Sequence, residues 1–302
     1  MRRVVLVHNP KAGDGRLDDD ALVKLIRSAG WDVEYCSSKD NWRRALETAP
    51  DLIAVAGGDG TVGKVGREAA GRGVPIAILP LGTANNISTA LGLVGRPLDE
   101  LVAGWADAAA QSFDVGVARG PWGTFRFLES LGAGLLAQGM VEVKQGHVPH
   151  LGQIDEAAKR VEAARDLVQR QLTQSNAVRY ALSVDGHDRA GDYLLVEALN
   201  FGTAGPNLHL APQADPADGL LDVVVAREED RRTLDDYLAR LLLDPEHTPK
   251  LLVHRGRAVT LSCATCALHI DDELWLEQAE GAEPAVIELS VEPRALTFLR
   301  PR

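Results

Sequence analysis

Residues 54–65 read AVAGGDGTVGKV, and this stretch decides how the rest of the chain is interpreted. An apolar run over residues 51–56 predicts a buried strand, and a glycine-rich segment follows it at once. Three interpretations compete for that segment. Residues 58–64 have the spacing of a Walker A phosphate loop, the unit GGDGT can carry a functional aspartate, and Gly-Asp-Gly is also ordinary turn chemistry.

Length and composition limit the classes of protein to consider. The 302 residues predict two domains. The formal net charge of −11 argues against nucleic-acid binding, which depends on Lys and Arg neutralising phosphates. We find no run of roughly 18 apolar residues, so we expect no transmembrane segment. Three cysteines do not make a disulfide framework, and a cytoplasmic protein fits best.

One cysteine motif needs a separate decision. Cys263 and Cys266 form a C-x-x-C, and His269 follows the second cysteine by three residues. A zinc site needs a fourth ligand and a convergent geometry. Because the segment reads as a strand, in which residues three apart point to opposite faces, a metal or redox role is the less favoured interpretation.

The first third of the chain alternates short apolar runs with helical patterns. The predicted strands are residues 4–7, 32–36, 52–56, 75–79 and 113–117. The predicted helices begin near residue 18 and then cover 41–47, 61–70, 85–91 and 98–110. All-apolar strands alternating with helices indicate a parallel sheet covered on both faces. We therefore predict an α/β domain over residues 1–117.

The pattern changes after about residue 118. One long helix is predicted over residues 154–172, but the later segments have the alternation and turns of antiparallel strands. The predicted strands are residues 125–129, 177–184, 193–200, 221–226, 251–253, 258–270 and 286–291. We predict a β-rich antiparallel domain over residues 118–292, with residues 293–302 returning to the first domain.

Three glycine-containing loops follow predicted strands of the first domain. They are NPKAGDG at residues 9–15, GGDGT at 57–61 and PLGTANN at 80–86. The carboxyl ends of parallel strands meet at one edge of a sheet, where ligands bind. Glycine loops let backbone N–H groups approach phosphate oxygens, so the three loops together predict a phosphate-binding edge.

The residues around this segment argue against the Walker A interpretation. Val65 follows Lys64, whereas a phosphate loop needs Ser or Thr there to bind Mg²⁺. The segment also follows the third predicted strand and not the first. Asp59 would place a negative charge inside the phosphate cradle. We expect Lys64 on a solvated helix face.

The three loop motifs, in this order, resemble the diacylglycerol kinase catalytic-domain family. That family includes sphingosine kinases and bacterial lipid kinases, and it is distantly related to NAD kinases and phosphofructokinases. Residues 199–214, DGLLD at 218–222 and DDE at 271–273 resemble later elements of the family, so the resemblance spans nearly the whole chain. It implies an NAD kinase-like first domain and an ATP- and Mg²⁺-dependent kinase that phosphorylates a hydroxyl of diacylglycerol or a related lipid.

The resemblance also assigns roles to residues. It implies that Asp59 works in a Mg²⁺-centred network beside the nucleotide phosphates and that Asp271 is the general base. It implies nucleotide contacts from the three loops and from two acidic positions. The residues that match these contacts are Asn9, Gly57, Gly58, Gly60, Thr61, Gly82, Thr83, Asn85, Asp114 and Glu273.

A second Mg²⁺ ion is implied in the β-rich domain. Asp218 would supply its side chain, with backbone carbonyls near Asp215 and Leu220. Oxygen ligands suit such a hard cation. In phosphoryl transfer itself, Mg²⁺ neutralises charge while a carboxylate orients the attacking hydroxyl.

This sequence departs from the family pattern at several positions. Asn86 stands where many relatives have Asp, Asp272 replaces the Gly of Asp-Gly-Glu, and Lys64 stands where many have Glu. Two alternatives therefore stay open: an NAD kinase-like enzyme, and a catalytically weak sensor of nucleotide or lipid. The expected partner is a lipid at or from a membrane, with peripheral attachment of a cytoplasmic protein, and a homodimer stays open.

Overall fold

A computed structural model describes most of the chain. The described residues are 2–13, 18–147, 154, 156–241, 243–245, 247–263, 267–277 and 284–302. The chain divides into two compact units. The first comprises Met1–Val115 and Pro293–Arg302, and the second comprises Gly116–Glu292. The predicted boundaries lay after residue 117 and before residue 293.

The first unit is an α/β layer structure. In chain order its elements are β1 (Arg2–His8), α1 (Asp19–Ser28), β2 (Trp31–Ser37), α2 (Arg43–Leu46), β3 (Leu52–Gly57), α3 (Asp59–Ala69), β4 (Ile76–Pro80), α4 (Asn86–Ala90), α5 (Leu98–Ala103) and the start of β5 (Ala109–Gly120). A 3-10 helix, Gly104–Asp107, follows α5. The strand order is β2-β1-β3-β4, and all of these pairs are parallel.

Local sequence explains these elements. The middle residues of β1 and all of β3 are buried, as expected for strands with both faces covered. Helix α1 begins where the Asp18 side chain accepts a hydrogen bond from the backbone N–H of Ala21, a normal N-cap. The first unit therefore confirms the predicted parallel sheet.

Two helix predictions in the first unit were wrong in their bounds. The helix expected from residue 61 begins at Asp59, so this carboxylate lies in the first turn of α3. The helix expected over residues 98–110 ends at Ala103, and a strand begins at Ala109. The 3-10 helix begins at Gly104, where a Cβ would lie 2.7 Å from the Cβ of Pro301, so this position favours glycine.

The second unit is rich in antiparallel strands. Its elements are the end of β5, β6 (Gly123–Phe127), β7 (Ser130–Gly134), α6 (Leu135–Lys144), α7 (Ala157–Gln174), β8 (Val178–Val184), β9 (His187–Asp188), β10 (Gly191–Tyr193), β11 (Leu195–Leu199), β12 (Thr203–Ala204), β13 (Leu208–His209), β14 (Leu221–Ala226), α8 (Arg231–Arg240), β15 (Leu252–Gly256), β16 (Val259–Cys263), β17 (Ala267–Ile270), β18 (Glu273–Glu277) and the start of β19 (Ala285–Arg300). A six-stranded sheet has the order β15-β14-β11-β7-β17-β18, and every pair in it is antiparallel.

The six-stranded sheet is covered on two faces. One face packs against β8, β16 and the start of β19 through a core that includes Tyr180, Val196 and Leu268. Alternate residues of β11 and β14 turn to the other face and pack with residues of α6, α7 and α8. The β-rich antiparallel class predicted for this part of the chain is confirmed.

Three features of the second unit differ from the predictions. Helices α6 and α8 were not predicted, and the strand expected over residues 258–270 is divided into β16 and β17. The strand predicted over residues 286–291 and the returning segment over residues 293–302 form the single strand β19. Its buried Ile287 belongs to the second unit and its buried Phe298 to the first. No described helix is long and apolar enough to cross a membrane.

Candidate active site

The three glycine-containing loops meet at the carboxyl edge of the parallel sheet. The backbone N–H of Asn9 donates to the carbonyl of Ala56 at 2.9 Å, which joins the loop after β1 to β3. The N–H of Leu81 donates to the carbonyl of Gly57 at 3.0 Å, which joins the loop after β4 to the same strand. Backbone hydrogen bonds therefore fix all three loops around the end of β3.

Two of these loops approach each other through glycine. A Cβ on Gly58 would lie 2.7 Å from the Cα of Gly82, a separation that packed proteins do not show. The two positions therefore need glycine because the two backbones touch, and not because of turn geometry alone. This contact places the backbone of GGDGT against the backbone of the loop after β4.

The loop after β4 is held by Asn85. The side-chain oxygen Oδ1 of Asn85 accepts from the N–H of Gly82, and its Nδ2 donates to the Gly82 carbonyl, both at 2.9 Å. Asn85 has φ +52, a left-handed conformation that Asn adopts more readily than most residues. Both bonds stabilise the loop after β4, so Asn85 has a structural role there. Its predicted contact with nucleotide stays a prediction.

The carboxylate of Asp59 joins the loop after β3 to the start of α4. Oδ2 accepts from the N–H of Asn86 at 2.9 Å, and Oδ1 accepts from the N–H of Ile87 at 3.0 Å. Asp59 also lies in the first turn of α3, where the helix dipole favours negative charge. The side chain is half-buried, so its position is set by the fold.

The remaining nucleotide contacts predicted in the three loops fall on the same edge. Oδ1 of Asn9 accepts from the N–H of Lys11 at 3.1 Å within the first loop. Thr61 is buried, with its N–H donating to the Gly58 carbonyl, while Gly60 lies in the first turn of α3 and Thr83 is half-buried in the third loop. Lys64 is exposed on α3, as predicted.

Asp114 does not share the position of the loop residues. It is fully buried in β5, and its Oδ1 accepts from the backbone N–H of Arg294 at 2.6 Å. This bond fixes the chain where β19 bends at Arg294, whose φ is +51. The geometry favours a structural role for Asp114, and its predicted contact with nucleotide stays a prediction.

In the second unit, Asp271 follows β17 in a two-residue connection to β18. Its Oδ1 accepts from the N–H of Glu129 at 2.9 Å and from the N–H of Leu128 at 3.2 Å. Its own N–H donates to the carbonyl of Ser130 at 2.8 Å. The main chain and the side chain of Asp271 are therefore both bound to the segment that leads into β7.

The turn geometry shows why Asp272 can replace glycine. Asp271 has φ +50, whereas Asp272 is not among the described residues with positive φ. Asp272 therefore lacks the positive φ that favours glycine, and the aspartate there causes no backbone strain. Asp272 is exposed, and Glu273 is the half-buried first residue of β18.

The predicted metal position at Asp218 is paired with an arginine. Oδ1 of Asp218 accepts from the N–H of Leu220 at 2.9 Å, and Oδ2 is bonded to the guanidinium of Arg255. Arg255 Nε also lies 3.1 Å from Oδ1 of Asp222, its cross-strand partner. Burial raises the pKa of Asp222, and Arg255 opposes that rise.

This arrangement does not fit a cation held by Asp218. The Asp218 carboxylate already accepts from a backbone N–H and from the positively charged guanidinium of Arg255. Arg255 supplies the positive charge at this position.

Two buried residues that the sequence analysis did not include in this site contact each other next to Asp271. Glu197 on β11 and His269 on β17 are buried, and Nε2 of His269 lies 3.2 Å from Oε2 of Glu197. The sequence does contain an indication of this pair, because Glu197 is the single charged residue in the apolar stretch LLVEALNF. A carboxylate inside a buried strand needs a partner, but the sequence could not say which residue that partner was.

The C-x-x-C interpretation lies outside the described side chains. The structure describes the backbone of Cys263 but not its side chain, and Cys266 is not described. His269, the third member of that motif, has both ring nitrogens bonded within the protein. It is therefore not positioned as a zinc ligand.

Two protein-family models match this chain. Residues 3–118 match the model described as the diacylglycerol kinase catalytic domain. Residues 155–300 match a model described as the YegS C-terminal NAD kinase beta sandwich-like domain. Over residues 3–118 the chain is therefore similar to the diacylglycerol kinase catalytic domain, which supports a kinase at the level of family. The two matched parts lie in the order that the sequence motifs predicted.

Individual relatives cover almost the whole chain. A protein named diacylglycerol kinase from Mycobacterium tuberculosis is 25% identical over 315 aligned positions, covering 99% of this chain and 96% of the relative. A second protein named diacylglycerol kinase, from Staphylococcus epidermidis, is 27% identical, and the alignment covers 90% of this chain and 86% of that relative. A crystal structure titled a diacylglycerol kinase from Bacillus anthracis has a TM-score of 0.68 at 19% identity, covering 99% of this chain and 97% of its own, which is a likeness of fold.

Proposed function

We propose that this protein is an ATP- and Mg²⁺-dependent kinase that phosphorylates a hydroxyl of diacylglycerol or a related lipid. The observation that carries the proposal is the edge of the parallel sheet in the first unit, where three glycine-containing loops meet at the end of β3 and the Asp59 carboxylate joins the loops after β3 and β4. The family match and the names of the relatives favour a lipid as the acceptor.

The first unit would bind the phosphates of ATP. Gly57 and Gly58 precede α3, an 11-residue helix, and Gly60 lies in its first turn. A helix start of this kind stabilises phosphate through its N–H groups and its dipole. Gly82 and Thr83 would contribute backbone and hydroxyl contacts from the neighbouring loop.

Asp59 is the residue that would hold Mg²⁺ beside those phosphates. Mg²⁺ in phosphoryl-transfer sites is bound through one or two carboxylates together with substrate phosphates, so one well-positioned aspartate fits the ion. When bound, Mg²⁺ would neutralise the charge of the phosphates. The bonds from Asn86 and Ile87 would fix the direction of the Asp59 carboxylate before any ligand arrives.

Asp271 would act as the general base. Its Oδ1 is bound by two backbone N–H groups, which keeps the carboxylate in one orientation and favours its charged form. The acceptor hydroxyl would give its proton to Asp271 as its oxygen bonds to the γ-phosphorus of ATP, while the bond from that phosphorus to the β–γ bridging oxygen breaks and ADP leaves. A carboxylate base of this kind contributes about 10²–10⁴-fold to rate.

Transfer of radiolabelled phosphate from ATP tests the proposal directly. The full chain is assayed with Mg²⁺, and with EDTA as a control, against vesicles that contain diacylglycerol, against sphingosine and against NAD. Label in the lipid product, and none with EDTA, is expected. Label in NAD alone would identify an NAD kinase-like enzyme, and ATP binding without transfer to any acceptor would identify a sensor.

A further inference from the structure

A buried acid and a buried histidine face each other across the strand that separates them. Strand β7 lies between β11 and β17, and Gly132 is the cross-strand partner of both Glu197 and His269. A Cβ on Gly132 would overlap the Glu197 carboxylate. Gly132 therefore leaves the space through which the two side chains reach one another, on the sheet face that packs against helices.

The hydrogen bonds of His269 require two protons in this pair. Nδ1 of His269 lies 3.0 Å from the carbonyl oxygen of Asp271, and Nε2 lies 3.1–3.2 Å from the two oxygens of Glu197. A carbonyl oxygen only accepts, and so does an ionised carboxylate. The pair is therefore either an imidazolium with a carboxylate or a neutral imidazole with a protonated Glu197.

The charged form is favoured in the folded protein. Burial alone lowers the pKa of His269, but the Glu197 carboxylate and the Asp271 carbonyl outweigh burial and leave that pKa raised. Both side chains are almost fully buried, with relative exposures of 0% for Glu197 and 3% for His269. A buried ion pair of this kind seldom stabilises a fold more than apolar packing would, so its presence calls for another reason.

The reason lies in the residue that His269 holds. The carbonyl of Asp271 accepts from His269, while the Asp271 N–H donates to Ser130 and the Asp271 carboxylate accepts from Leu128 and Glu129. The left-handed φ of +50 at Asp271 is unfavourable for a non-glycine residue and has to be imposed by such contacts. We propose that Glu197 and His269 are positioning residues that fix the main chain of Asp271 and thereby aim its carboxylate at the acceptor hydroxyl.

This inference rests on the proposed role of Asp271, and paired variants of His269 test it. Asparagine can replace Nδ1 and keep the bond to the Asp271 carbonyl, whereas glutamine reaches the position of Nε2 and loses that bond. Both are made in a Glu197→Gln background, so that neither leaves a buried carboxylate unpaired. The measurements are kcat, KM for ATP, melting temperature, and hydrogen exchange at the Leu128 and Glu129 amides.

We expect His269→Asn to keep kcat within about threefold of its Glu197→Gln parent. His269→Gln should lose about 10- to 100-fold in kcat, the effect of misplacing a reacting group by about 1 Å, with KM for ATP unchanged. Exchange at Leu128 and Glu129 should accelerate in the glutamine variant only, although both variants lose similar melting temperature. Equal loss of kcat in both, or loss that follows melting temperature, would overturn the positioning role.

The exchange measurement separates this inference from the proposed function. If the wild-type protein labels no lipid, the proposed function fails, but the Leu128 and Glu129 amides still report whether His269 holds Asp271. Faster exchange with glutamine than with asparagine would then support positioning, and equal exchange would reject it.

Discussion

Asp59 in the first unit and Asp271 in the second are held by the same kind of donor, two consecutive backbone N–H groups, but in different ways. Asp59 uses both carboxylate oxygens, one for Asn86 and one for Ile87. Oδ1 of Asp271 accepts from both Glu129, at 2.9 Å, and Leu128, at 3.2 Å, and Oδ2 adds only a longer contact to the same Leu128 N–H at 3.3 Å. An amide has only one oxygen, so replacement by asparagine has different consequences at the two positions.

Replacement of these two aspartates by asparagine separates loss of the catalytic base from loss of folding stability. At Asp271, an asparagine oxygen can still accept both N–H groups, so the fold tolerates the change while the base is lost. At Asp59, an asparagine NH₂ group would face one of the two N–H groups, and a buried donor without an acceptor costs about 1–3 kcal/mol. The second unit therefore offers the cleaner test of catalysis.

The largest expected effect is on turnover in Asp271→Asn. We expect kcat to fall by about 10²–10⁴-fold, because an amide cannot take the proton of the acceptor hydroxyl. The melting temperature should stay nearly unchanged, and ATP binding should be kept. Asp272→Asn is the matched control, since Asp272 is exposed and should tolerate the change. Wild-type turnover in Asp271→Asn, with a dead Asp272→Asn, would move the base to residue 272.

Asp59→Asn should lose both activity and stability. The expected cost of about 1–3 kcal/mol in free energy of unfolding corresponds to several degrees of melting temperature. Lys64→Ala is the control on the same helix, and because Lys64 is exposed we expect neither property to change. An Asp59→Asn protein that melts with the wild type would show that its two bonds carry little energy.

Gly58→Ala tests whether backbone contact holds the first site together. The new Cβ would lie 2.7 Å from the Cα of Gly82, and overpacking of this kind costs about 1–3 kcal/mol. Gly139→Ala on α6 is the matched control. Its Cβ would find only ordinary contacts, from 3.7 Å to Leu167, and alanine in a helix is favoured over glycine by about 1 kcal/mol. Thermal unfolding should therefore shift in opposite directions in the two variants.

Sequence reasoning reached the first site more completely than the second. The loops after β1, β3 and β4 were predictable because apolar strands and glycine-rich turns are local signals, and parallel order then places them on one edge. Glu197, His269 and Arg255 were missed because each meets its partner across strands far apart in sequence. The pairing of Asp222 with Arg255, and of Gly132 with both neighbours, depends on strand register, which local pattern does not specify.

The smallest expected effect concerns Mg²⁺ at Asp218, where the carboxylate is held by a side chain and not by two backbone N–H groups. Arg255 bridges Asp218 and Asp222, which have side-chain exposures of 24% and 3%. A ligand that binds only the folded state raises stability in proportion to RT ln(1 + [L]/Kd). Since Arg255 already supplies the positive charge, we expect Mg²⁺ added without ATP to leave the melting temperature of the wild type unchanged.

The variant Arg255→Met tests directly whether Arg255 takes the place of a metal ion at Asp218. The variant leaves two carboxylates together without their cation, so it should melt below the wild type in EDTA. Mg²⁺ should then recover part of the loss, because a hard cation can bind the freed oxygens, and the recovery should vanish in Arg255→Met with Asp218→Ala. If Mg²⁺ instead stabilises the wild type and not Asp218→Ala, the metal site implied by the family resemblance is present, and the guanidinium must move aside to admit it.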